Sequence, residues 1–186
     1  MHICLGITIA VLLDLDLIGH EFLFLLTAVG IIASILLKRH VHIPLFSLFI
    51  ERLQRQDERE RLPLKGAISY LLGSAIAVLA FPKTIAITSI LILAFGDSIS
   101  RLVGPYGNLK HPFNSEKFIE GIFTGWLAAT LIAWQFVPLL HAAFAAGGAM
   151  VLEGLEIRVN GHKVDDNLTI PLVTGIIMIA LPSVLI

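Results

Sequence analysis

The fold this sequence predicts is all-α: a polytopic membrane helical bundle of about seven transmembrane helices, with its N-terminus cytoplasmic. Three observations lead there. Of 186 residues, 56% are hydrophobic and only 15% charged, well outside the usual composition of a soluble domain. The apolar residues gather into seven stretches near the roughly 17 to 25 residues that cross a bilayer as a helix. The basic residues are distributed unevenly between the loops, as a membrane orientation requires.

The first span runs from about Ile3 to Ile18. It has no basic leader and no clear small-residue cleavage site, and it carries Asp14 and Asp16, so it reads as a helix and not as a signal peptide. Those two aspartates point to different helix faces, and at least one is expected to face the bundle interior. A second span covers Phe22 to Leu37. The segment "PLFSLFIERLQRQDERERLPLKG" comes next, apolar in its first half and densely charged in its second, as suits a helix lying along the membrane surface with snorkelling arginines. Arg61 and Lys65 flank Pro63 at the mouth of the third span, Gly66 to Phe81. The remaining spans are Thr84 to Val103, Phe118 to Val137, Pro138 to Ile157 and Leu168 to Leu185. Gly73, Ser74 and Ala77, and the run Ala142 to Ala149, form small-residue faces that let helices approach closely. No repeat or long linker divides the chain, so residues 1–186 read as a single integral membrane domain with an interfacial or cytoplasmic segment at about 38–65.

If the segment after the second span is cytoplasmic, alternation of seven spans puts residues 38–65, 104–117 and 158–167 on the same side. Together with Arg101 these hold twelve of the thirteen lysines and arginines, leaving only Lys83 on the other side. The positive-inside rule then sets the N-terminus in and the C-terminus out. The single cysteine, Cys4, excludes a disulfide framework and a cysteine-based metal cluster. The net charge of −1 says little by itself; no nucleic-acid partner is expected, and a homo-oligomer stays open.

Ionisable groups inside spans cost roughly 2.5 to 3.5 kcal/mol each on insertion scales, so each needs a partner or a purpose. Asp97 is the sharpest case. Arg101 lies one turn further along and is placed for an i,i+4 pair, which accounts for Asp97 but not for the loop after it. That loop holds Gly104, Pro105, Tyr106, Gly107, Asn108, Lys110 and His111, and Lys117, Glu120 and Gly121 stand at the start of the next helix. Glycines let backbone amides approach a phosphate, lysines neutralise its charge, and a carboxylate holds the Mg²⁺ that accompanies a nucleotide. The pattern is a nucleotide-phosphate site, though neither a P-loop nor a dinucleotide fingerprint. A second cluster has Glu153 and Glu156 closing the sixth span and "VDDNLTIPL" opening the seventh. A helix start needs one capping residue; Asp165, Asp166 and Asn167 offer three, so at least one is free for a metal or for a hydroxyl proton. His40, His42, His111 and His162 form no zinc spacing, and His20 with Glu21 falls on the far side.

In combination, "RERLPLKGAISYLLG", "FGDSISRLVGPYGNLK" with "EKFIEG" after it, and "DDNLTIPLVTG" resemble the CTP-dependent lipid kinases, the family of dolichol kinase, yeast-type diacylglycerol kinase and phytol kinase, which is similar in turn to phosphatidate cytidylyltransferases. The stretches cover most of the chain from Arg59 to Gly175. The resemblance implies that Asp97 and its loop, with Gly96, Ser98, Arg101, Gly104, Gly107 and Lys110, bind the phosphates of CTP with Mg²⁺. It implies Asp97 and Asp166 as the metal contacts and Asp97, Lys117, Glu120, Asp165 and Asp166 as the catalytic set. Asn167, Arg61 and Lys65 join the nucleotide contacts. Three departures stand out. Phe118 replaces a small hydroxyl residue frequent in the family, and Ser98 begins an unusual "GDSIS". His2 stands for a histidine that the family precedes with an arginine-lysine pair, here missing.

The expected activity is a CTP-dependent kinase acting on the hydroxyl of a membrane lipid alcohol, of the polyprenol, dolichol or diacylglycerol type, at the cytoplasmic interface. A CDP-lipid-forming cytidylyltransferase is the nearest alternative and a small ion-coupled transporter the most distant. The expected location is the cell membrane of a prokaryote, or the endoplasmic reticulum in a eukaryote.

Overall fold

A computed structural model describes residues 2–39, 63–155, 158–159 and 162–181 of the protein. Each of the seven predicted apolar stretches holds one helix: α1 (His2–Asp14), α2 (His20–Lys38), α3 (Lys65–Ala80), α4 (Lys83–Val103), α5 (Ile119–Ala133), α6 (Leu139–Gly154) and α7 (Asp166–Ala180). The chain is mostly helical without being all-α. Two small antiparallel hairpins, β1 (Lys110–His111) with β2 (Asn114–Phe118) and β3 (Arg158–Val159) with β4 (His162–Lys163), occupy the loops after α4 and α6. Strands this short carry no readable alternation, so the sequence pattern does not announce them.

Helix α2 and the stretch Lys83–Tyr106 are long and apolar enough to cross a membrane. The other five helices have 13 to 16 residues. At 1.5 Å per residue they measure about 20 to 24 Å, short of a roughly 30 Å hydrocarbon core. Several of the longer predicted spans included turn residues beside these helices. Pro82 and Pro138 stand immediately before α4 and α6, with φ of −52° and −55°. Proline is favourable there because its fixed φ suits a helix start and its missing N–H removes a donor that would lack a partner.

Helix α4 is the axis of the bundle. It packs against α1, α3, α5, α6 and α7, and every residue from Ala86 to Ala94 is buried. A helix that is apolar all round belongs in the middle of its neighbours. The small-residue faces do the packing expected of them. Ala142, Ala145, Ala146 and Ala149 are buried on α6, which lies between α5 and α7, and Gly73 on α3 abuts the backbone carbonyl of Asn167 on α7. Helix α2 is peripheral: it leans on α3 and leaves Leu25, Val29 and Ile32 exposed.

The turn between α1 and α2 corrects one sequence expectation. Asp14 and Asp16 are both exposed, so neither faces the interior. Asp16 adopts φ 55° to close the turn, a left-handed conformation that aspartate tolerates better than most residues. Its carboxylate accepts from Lys83 Nζ at 2.7 Å, and the same ammonium donates to the Asp14 carbonyl at 2.7 Å.

Candidate active site

The starts of α1, α3, α5 and α7 meet the ends of α4 and α6, and nearly all the chemistry-bearing residues gather at this end of the bundle. Asp97, in the second-last turn of α4, is 1% exposed. Its Oδ2 accepts from His2 Nδ1 at 2.9 Å, and its Oδ1 lies 2.6 Å from Arg101 Nε. A carboxylate can only accept, so the imidazole of His2 carries its proton on Nδ1 and leaves Nε2 as an acceptor when neutral. The ring also stacks on Tyr70 of α3, centroids 5.1 Å apart, and the Tyr70 hydroxyl donates to the Ile90 carbonyl at 3.2 Å. The i,i+4 pair foreseen from the spacing forms, but Arg101 extends further: its Nη2 also reaches Asp166 Oδ2, at 3.8 Å.

Glu153 completes the group. It stands in the last turn of α6, is 2% exposed, and its Oε1 is paired with Lys117 Nζ from β2. Asp97, Glu153 and Asp166 each offer an oxygen, all within 4.8 Å of one another. At that separation and an effective dielectric of about 20, two ionised carboxylates would repel by about 3 kcal/mol. Arg101 and Lys117 are set among these three acids, two of which are buried. Three hard carboxylate oxygens this close together fit a divalent cation such as Mg²⁺.

The three consecutive polar residues at α7 have separate tasks. Asp165 caps the helix, accepting from the Asn167 amide at 3.2 Å, and lies 3.7 Å from Lys65 Nζ. Asp166 turns to the carboxylate group. Asn167 is buried and donates through Nδ2 to Ser69 Oγ at 3.0 Å and the Gly66 carbonyl at 3.5 Å, while its Oδ1 has no partner among the described residues. Helix α3 is placed for this by a strained start. Leu64, buried and non-glycine, holds φ 64°, and Ser34 on α2 donates to the preceding Pro63 carbonyl at 2.6 Å.

The loop after α4 is held from α5. Glu120 accepts from the amides of Asn108 at 2.8 Å and Leu109 at 3.0 Å, and Gly107 leaves it room, since an added Cβ there would sit 2.6 Å from Glu120 Oε2. Gly121 lets α5 cross α4 closely; a Cβ would come within 2.7 Å of both the Gly104 Cα and the Ser100 carbonyl.

The structure therefore brings Asp97, Arg101, Lys117 and Asp166 together, with Asp165, Lys65 and Asn167 along one edge. Glu120 and Gly107 shape the loop. Gly96 packs against Met150, Ser98 is half-buried beside Asp97, and Lys110 is exposed on β1. Gly104 is buried, with open space where a side chain would start. Arg61, Glu156, His40 and His42 lie outside the described residues. Two neighbours, Glu153 and His2, were absent from the predicted site set. Glu153 gave the same signal as Asp97, an acid ending an apolar helix. His2 was marked only by the resemblance.

A mostly helical, strongly apolar bundle with a buried carboxylate and cation site at one end defines the class. The comparisons are narrower. An uncharacterized protein of Methanocaldococcus jannaschii is 28% identical over 151 residues, covering 81% of this chain and 74% of that protein. Probable chloroplastic phytol kinases of Triticum aestivum and Zea mays are 30% and 28% identical, over 69% and 72% of this chain. The chain spans about half the length of these plant kinases, 47% and 49%. No family model matches, and no solved structure does. At modest identity, the chain is similar over about two thirds of its length to proteins named as probable phytol kinases.

Proposed function

We propose that the protein is an integral membrane kinase that transfers the γ-phosphoryl of CTP to the hydroxyl of a membrane lipid alcohol, of an isoprenoid class such as phytol or a polyprenol. The observation that carries this is the convergence of Asp97, Glu153 and Asp166 with Arg101 and Lys117 at one end of an apolar bundle. A bound Mg²⁺ would be held by these three carboxylates and would offset phosphate charge.

Phosphoryl transfer asks the protein mainly for positioning and charge stabilisation. Arg101 and Lys117 neutralise phosphate oxygens, and the backbone at Gly104 leaves space for one to approach. The alcohol oxygen forms the new bond to the γ-phosphorus as the bond to the β,γ-bridging oxygen breaks. CDP leaves with the bridging oxygen, and the hydroxyl proton passes to a carboxylate at the edge of the site. His2 holds Asp97 in one orientation. The apolar tail lies among the helices, so the hydroxyl meets the nucleotide at the interface, on the side where the basic loops face the cytoplasm.

The test uses purified protein in detergent with Mg²⁺, CTP labelled at the γ position, and phytol, a polyprenol and phosphatidic acid as separate acceptors. Label passing to an alcohol, and lost in Asp97→Asn, supports the kinase. Pyrophosphate release with phosphatidic acid assigns a cytidylyltransferase instead. With no reaction and no thermal stabilisation by CTP, the nucleotide site is wrong and transport becomes the better reading.

A further inference from the structure

The β1–β2 hairpin has two faces with opposite chemistry. Its inner face is tied to the active end of the bundle: Lys117 pairs with Glu153, and His111 lies against the end of α6, where a Cβ on Gly154 would be 3.2 Å from its Nε2. The clasp of Glu120 on Asn108 and Leu109, with Ile119 N donating to the Leu109 carbonyl at 2.8 Å, fixes the base of the hairpin. The outer face of the hairpin turn and of the segment leading into β1 presents large apolar groups, with Phe113 in the turn meeting the edge of the His111 ring, centroids 5.9 Å apart. Tyr106 is 85% exposed, Phe113 77% and Leu109 60%. They continue from Leu102, exposed on the last turn of α4, the helix long enough to span a bilayer.

We propose that this outer face rests in the interfacial layer of the phospholipid bilayer, with Tyr106, Leu109 and Phe113 embedded at headgroup level and Lys110 reaching the phosphates. The inference rests on the membrane reading above. Burying such groups among water-exposed loops has no return, whereas aromatic and long basic side chains are stabilised at a membrane interface. A different protein surface is the other kind of cover for an apolar patch. Continuity with the exposed end of α4 and the neighbouring Lys110 favour lipid. The consequence is functional. One rigid hairpin has lipid on one side and the carboxylate site on the other, so the alcohol reaches Lys117 by sliding beneath the hairpin from the bilayer, and not from water.

Depth measurement tests this without any activity assay. In a Cys4→Ser background, Phe113→Cys, Glu21→Cys and Leu25→Cys are labelled singly with a fluorophore and reconstituted into phosphatidylcholine vesicles. Quenching is read from aqueous iodide and from lipids carrying a shallow spin label. Leu25, exposed on α2, tests the membrane reading, and Glu21, exposed at the start of α2 and away from the hairpin, is the aqueous reference. The proposal expects the label at position 113 to be quenched several-fold more by the lipid than the label at position 21, and shielded from iodide. Equal iodide access at 113 and 21, with lipid quenching at 25, overturns the proposal and leaves the membrane reading standing. No lipid quenching at 25 overturns both.

Discussion

The two ends of the bundle put similar residues to different uses. At the far end Lys83 joins Asp16 and the Asp14 carbonyl, and the Lys83 and Asp16 side chains are 43% and 82% exposed. Water solvates these charges, and the pair fastens the α1–α2 turn to α4 with little net effect on stability. At the other end Arg101 and Lys117 meet Asp97, Glu153 and Asp166, two of which are buried. Acidic side chains buried this close together are a cost to the fold. An arrangement that the fold alone would not favour is better explained by something it binds.

That contrast can be broken most sharply at Asp97. Asp97→Asn is expected to lower phosphoryl transfer by at least ~100-fold while leaving the melting temperature unchanged or higher, because one repulsive charge is removed. A melting temperature that falls steeply would make Asp97 a structural residue held by Arg101 and His2. The next effect is on metal binding. Glu153→Gln is expected to weaken Mn²⁺ binding, monitored by paramagnetic resonance, by roughly 10- to 100-fold.

Lys117→Met sharpens the same comparison by moving two readouts in opposite directions. Without its ammonium, nucleotide binding drops roughly tenfold or more, yet Mn²⁺ alone binds more tightly because Glu153 loses its competing partner. Parallel loss of both would mean that Lys117 only holds the hairpin in place. His2→Ala should act more mildly, with a roughly tenfold loss in turnover, since it orients Asp97 without contacting phosphate in this scheme. At the far end Lys83→Met should change the melting temperature by under ~1 kcal/mol equivalent and leave turnover alone.

Much of this was legible in the chain. Each helix appears where an apolar run appears, and Asp97 and the Asp165-Asp166-Asn167 triplet stand out because acids are rare beside such runs. Glu120 and Lys110 were less legible. Both fit a phosphate loop by residue type, yet Glu120 turns back to hold the amides of Asn108 and Leu109, and Lys110 stays on the exposed strand. Residue type reports what a side chain is able to bind; it does not report which nearby group reaches it first.

The sequence by itself determined the helical class, the order of the helices and the gathering of charge in the loops, because hydropathy and charge are local properties that no packing arrangement alters. The tertiary structure decided that Glu153 joins Asp97 and Asp166, that Lys117 neutralises one of them, and that Asp14 and Asp16 face outward. These are outcomes of helix ends meeting in space. His2 and Asp97 are 95 residues apart in the chain and 2.9 Å apart in the fold, and only the crossing of α1 over α4 brings them together.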